Sequence, residues 1–135
     1  MAAIAVAVAG AIHIVESIEQ MTGPVNETVL AGAPVRIDTS TGKFTNANGS
    51  SAGEARVYGI ADRSAAAGET ITAVRKGVLD GFTFSQAYDA AIYLSDTDGT
   101  LADTAGTVST VVGRVIPAWG TTVGTAADKL LLVNL

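Results

Sequence analysis

The stretch Arg56–Leu79, RVYGIADRSAAAGETITAVRKGVL, decides the fold class. Two runs rich in Val, Ile and Thr, Arg56–Ala61 and Thr70–Arg75, flank a small-residue segment that ends in the turn signal Ala67-Gly68, and Gly77–Leu79 continues the pattern. Branched residues in short runs with a period near two, bounded by glycine, describe half-buried strands and not helices.

The same reading extends in both directions. Strands are expected at Ile4–Ala9, Ile12–Glu16, Pro34–Asp38, Lys43–Thr45, Ala91–Leu94, Val108–Ile116 and Lys129–Val133, besides the three above. Between them lie Thr22-Gly23-Pro24, Ser40-Thr41-Gly42, Asn48-Gly49 and Asp98-Gly99, all turn-forming combinations. Strands at this spacing predict an all-β fold, a small antiparallel sandwich or barrel. The one helical spacing, Phe84, Ala87, Tyr88 and Ala91 after a cap at Ser85, is under three turns, so at most one short helix is expected. No linker, composition shift or repeat divides the 135 residues. Residues 1–20 read as an N-terminal strand or arm and 21–135 as the β-rich domain.

Composition narrows the chemistry. There is no cysteine, so a disulfide, a thiolate nucleophile and a thiolate-held metal are excluded. Charged residues make up only 16% of the chain against a usual quarter or so, while it carries 15 glycines and is rich in alanine, a lightly charged surface suited to burial against partners. The net charge is −5 and the eight basic residues are scattered from Arg36 to Lys129. With no basic stripe, neither nucleic acid nor an anionic membrane is an expected partner.

The N-terminal run MAAIAVAVAGAIHIVES has the look of a secretory apolar core but lacks Lys or Arg ahead of it, and it is too short to span a bilayer. Its alternation of Ile4, Val6 and Val8 fits a strand with branched residues on one face and alanines on the other. Such a segment is an exposed strand edge unless it pairs within its own sheet or adds to a neighbouring subunit, and the second covering is favoured here. Ile4, Val6, Val8, Ile12, His13 and Ile14 are therefore the candidate contact residues.

Catalytic motifs each have a plainer reading. YLSDTDGTLADTAGTVS, Tyr93–Ser109, resembles a calcium loop beginning at Asp96, yet Leu101 stands where the loop needs glycine and Thr107 where it needs a bidentate Glu. It reads as a turn after strand Ala91–Leu94. GSSAG, Gly49–Gly53, has the G-x-S-x-G spacing around Ser51, but polar, turn-like residues precede it instead of a buried strand. His13 is the only histidine and reads as structural or interfacial. Lys76-Gly77 resembles the hairpin of a lipoyl or biotinyl carrier without either attachment motif, and Trp119 reads as a packing anchor. Asn26 and Asn48 meet the N-glycosylation pattern, relevant only to a secreted eukaryotic protein. Neither a cofactor, a metal site nor an enzymatic activity is expected.

What remains is a set of strings. LAGAPVRIDTSTGKFTNANG, ARVYGIADRSAAAGETITAVRKGVLDGF, AAIYLSDTDGTLADTAGT and VVGRVIPAW with ADKLLLVNL together resemble the small capsid decoration, or cement, proteins of tailed bacteriophages, over Thr22–Leu135. The resemblance implies a β-tulip-like decoration domain that sits, as a homotrimer, on the outside of an expanded icosahedral head and clamps neighbouring copies of the major capsid protein. It implies a virion protein made in the bacterial cytoplasm. A non-catalytic β-sandwich binding module, for carbohydrate or at a fibre base, is the alternative, and it would need solvent-facing Trp and Tyr side chains grouped together.

Overall fold

Among the described residues of the computed structural model, every pairing between named strands is antiparallel. The structure describes residues 2–6, 9–119 and 129–135, and among them there is no α-helix. The strands are β1 Ala5–Val6, β2 His13–Pro24, β3 Pro34–Ile37, β4 Phe44–Asn46, β5 Val57–Ala61, β6 Thr70–Asp80, β7 Phe82–Thr83, β8 Ala91–Leu94, β9 Leu101–Ala102, β10 Val111–Pro117 and β11 Lys129–Asn134. A single 3-10 turn, Ala9–Ala11, separates β1 from β2. The main sheet runs β4-β3-β5-β6-β11-β10-β8-β9, with β2 added along β6, and it curls into a half-barrel; β1 pairs separately with β7.

Strand β6 organises the molecule. The sequence reading divides it at Lys76, but the structure makes it one continuous strand in which Arg75 is an extra residue, accommodated as a bulge between the Lys76–Glu19 and Val74–Gln20 pairs. One edge of β6 carries β2 over its whole length. The other edge is shared, β5 pairing at Val74 and Ala73 and β11 from Leu79 to Lys76.

Alternation along β6 splits the apolar core in two. Val74 and Leu79 face a large cluster with Ile60, Ile92, Leu94, Val112, Val115 and Leu131, whereas Ile71 and Ala73 face a smaller one with Val25, Val29, Val35 and Phe44. Each large side chain fully withdrawn from water contributes roughly 1.5–3 kcal/mol, so two such clusters hold the sheet without any covalent staple.

The curl is closed by backbone hydrogen bonds between turns far apart in sequence. The Gly49 N–H donates to the Ser95 carbonyl at 2.7 Å, the Val108 N–H to the Gly49 carbonyl at 2.7 Å, and the Gly99 N–H to the Ala47 carbonyl at 2.9 Å. Gly99 sits at φ +64°, and a Cβ there would lie 2.6 Å from Asn46 Oδ1, so glycine is required at this junction.

Other elements differ from the sequence expectation as well. Strand β2 runs on through Thr22-Gly23-Pro24, which reads as a turn, because β6 continues to pair with it as far as Thr70. Strands β7 and β9 have two residues each, too short for any period to show. At Phe84–Ala91 there is only a turn, the Ala90 N–H donating to the Ala87 carbonyl at 3.2 Å, with Asp89 left-handed at φ 66°.

Candidate binding surface

The second strand is the feature of the surface that a folded core does not explain. Twelve residues long, it pairs with β6 on one edge and with nothing on the other among the described residues. Ten of its twelve residues are exposed, so it is an edge strand lying along β6 with most of its surface wet. Cross-strand contacts stiffen it: Thr22 Oγ1 lies 2.7 Å from Thr72 Oγ1, and Arg75 Nε 3.2 Å from Glu19 Oε2.

Two bulges set the direction of its apolar side chains. Ile14 pairs with Leu79 and Glu16 with Val78, leaving Val15 extra; Ser17 pairs with Gly77 and Glu19 with Lys76, leaving Ile18 extra. The two insertions fall two residues apart on β6, so Val15 and Ile18, three apart in sequence, share a face. Skipping the bulged Arg75 restores the phase once more, and Met21, opposite Ala73, joins them. All three are exposed, Ile18 to 73%. An apolar row with a glutamate beside each of its first two members is a surface for a partner that covers side chains. Bulges also interrupt the free backbone edge, so a continuous added ladder has its best register only at Gln20–Pro24, where pairing is regular.

The residues singled out in the sequence are dispersed. Ile4 and Ile12 are buried in the large cluster, and Val6 and Ile14 pack half-buried against it. Ala5, on the supposed second covered face, is exposed. Val8 lies outside the described residues. His13 is exposed, its Nδ1 3.0 Å from the Ala11 carbonyl and its Nε2 3.7 Å from Oδ2 of Asp80, a side chain only 1% exposed. Residues 2–6 are tied into their own domain: the Ile4 N–H donates to the Leu101 carbonyl at 2.9 Å, the Asp103 N–H to the Ala2 carbonyl at 3.1 Å, and β1 pairs with β7. Strand β2 in turn runs across the boundary drawn at residue 20.

The catalytic look-alikes resolve into structure. Asp96 accepts from the Thr107 N–H and hydroxyl, both at 2.8 Å, Asp98 accepts from the Asn48 amide, and Asp103 accepts from the Ala2 N–H at 2.9 Å. The carboxylates of this stretch therefore staple loops, and no group of three metal-ligating side chains occurs among the described residues. Ser51 lies on an exposed turn with its hydroxyl 3.3 Å from Glu54 Oε2. Lys76 is inside β6, not in a hairpin turn. Trp119, expected to anchor packing, is instead 82% exposed: β10 ends at Pro117, and a left-handed residue at φ 51° carries the indole off the sheet.

A cleft that sequence reasoning missed opens on the other side of β6. Arg36, Arg56 and Arg75 line it together with Ile37, Glu54, Val57 and Tyr58, around about 740 Å³. These arginines are about twenty positions apart, so no run of charge announces them; only the adjacency of β3, β5 and β6 does.

No known protein family, curated protein or solved structure matches the chain.

Proposed function

We propose that the protein is a structural virion component that binds the outer surface of an expanded bacteriophage head and cements neighbouring coat subunits. The observation that carries the reading is the bulged edge strand β2 with Val15, Ile18 and Met21 exposed in one row. The sequence resemblance over Thr22–Leu135 supplies the partner, the major capsid protein, and the homotrimer in which copies of this chain would cluster. A shell offers the same contact many times, so a row of three apolar side chains suffices where avidity holds the assembly together.

Co-sedimentation with expanded, undecorated heads tests it. The wild-type protein is expected to pellet with heads at a fixed stoichiometry and to raise their melting temperature, while Ile18→Lys stays in the supernatant. Wild-type protein that fails to pellet with expanded heads overturns the reading.

A carbohydrate-binding module is the second reading, favoured by one observation. Tyr88 and Trp119 are both exposed, and Lys129, whose Nζ sits 5.1 Å from the Tyr88 ring centroid, pairs with Pro117, two residues before Trp119. Retention on a glycan array, abolished by Trp119→Ala, would mark that function.

A further inference from the structure

We propose that the cleft between β3, β5 and β6 is a second binding site, selective for an acidic side chain carried on an extended peptide of a partner protein. The inference rests on the cleft's own chemistry and stands whether or not β2 meets a phage shell.

Three of the eight basic residues of a chain with net charge −5 line it against one carboxylate, Glu54, so the lining carries an excess of positive charge. Their charges are only partly answered. Arg36 reaches Glu54 Oε1 at 3.9 Å, beyond hydrogen-bond range, and its Nε is buried with no hydrogen-bond partner. A buried N–H left without an acceptor is costly, so Arg36 gains by turning toward an incoming carboxylate. Arg56 is exposed and makes no hydrogen bond or ion pair among the described residues. Arg75, by contrast, is held in place: it pairs with Glu19, its Nη1 donates to the Tyr58 carbonyl at 3.3 Å, and its guanidinium stands 5.4 Å from the Tyr58 ring centroid. Arg36 and Arg56 thus have capacity to spare, and Arg75 forms a fixed wall.

The rest of the lining selects among anions. A guanidinium offers a planar fork that matches a carboxylate. Glu54 lines the same cleft, and Glu19 sits on Arg75, so a doubly charged phosphate meets more repulsion there than a single carboxylate does. Exposed Ile37 and the walls of Val57 and Tyr58 suit an apolar neighbour in the same peptide. At about 740 Å³ the cleft has more room than a lone ion requires.

The test uses the full chain, labelled with nitrogen-15, and follows the arginine Nε–H signals during titration with a capped Val-Asp-Val-Glu-Val peptide, its Asn/Gln counterpart, or inorganic phosphate. The acidic peptide is expected to shift the Arg36 signal saturably, with affinity at least about tenfold above the amide peptide and phosphate, and falling with added salt. Arg56→Gln, a change at an exposed position outside any strand, is expected to weaken binding by a similar factor while leaving the remaining spectrum unchanged. Equal response to acidic and amide peptides, or no saturation by millimolar acidic peptide, overturns the proposal. Saturation by phosphate at lower concentration than by peptide overturns it too, making the cleft a small-anion site.

Discussion

Gly77 and Glu16 face each other so closely that a Cβ on Gly77 would stand 2.3 Å from the Glu16 carbonyl oxygen. Gly77 is the residue of β6 that pairs with Ser17, between the two bulges of β2. The missing side chain is therefore what lets the edge strand lie against β6 at this point.

Gly77→Ala must push the β2 backbone away or break its pairing. Overpacking of this kind destabilises by about 1–3 kcal/mol. The expected result is a lower urea midpoint together with faster hydrogen exchange at β2 amides than at those of β10 and β11. Uniform exchange across all strands would show that β2 and β6 unfold only with the whole.

Asp38 predicts a response to acid. Its carboxyl is held below the ordinary value of 3.8, foremost by the Ser40 N–H; desolvation opposes this, and the Thr41 N–H, the Asn26 amide and the Arg36 charge add to the lowering. The Ser40 N–H and the Asn26 Nδ2 donate to it at 2.7 Å each. Because the folded value is the depressed one, the ionised carboxylate contributes stability above about pH 4, and that contribution fades as pH falls through the folded value. Asp38→Asn should lose stability at pH 6 and show less further loss than wild type between pH 4 and pH 2. Urea midpoints across that range check it; parallel curves for the two proteins would contradict it.

How much of this was legible beforehand depended on whether one face of a strand is buried. Ala91–Leu94 appears as read, since its apolar residues meet the core. The reading stops at Glu16 in β2 because Ser17–Pro24 is wet on nearly every side, and no burial pattern can form. Val15, Ile18 and Met21 stand at spacings of three, which fit no regular strand; only bulges reconcile them, and bulges depend on the partner strand. The arginine cleft was hidden for a related reason, as it arises from sheet order and not from neighbours in sequence.

Deletion of residues 1–12 separates a core segment from an arm. Ile4 and Ile12 are both buried in the large cluster, at roughly 1.5–3 kcal/mol each, so about 3–6 kcal/mol should be lost in thermal or urea unfolding. An unchanged melting temperature would mean that the segment is dispensable to the fold and free to serve a neighbour.

Ile18 and Leu131 have side chains of equal atom number and opposite surroundings, which makes them a matched pair for the proposed surface. Leu131 is fully buried in β11, paired with β6 on one edge and β10 on the other, and truncation to alanine there should cost about 2–5 kcal/mol. Ile18 is 73% exposed, so alanine should change stability by no more than about 0.5 kcal/mol. If the row on β2 meets the shell, the ranking inverts in a head-binding assay: Ile18→Ala loses binding while keeping its fold, and Ile18→Lys loses more, because a lysine beside Glu16 and Glu19 brings hydrated charge into an apolar contact. Folded Leu131→Ala, assayed below its melting temperature, should still bind. Were Ile18→Lys to bind heads as wild type does, the contact would lie away from β2, and the exposed row would need another occupant.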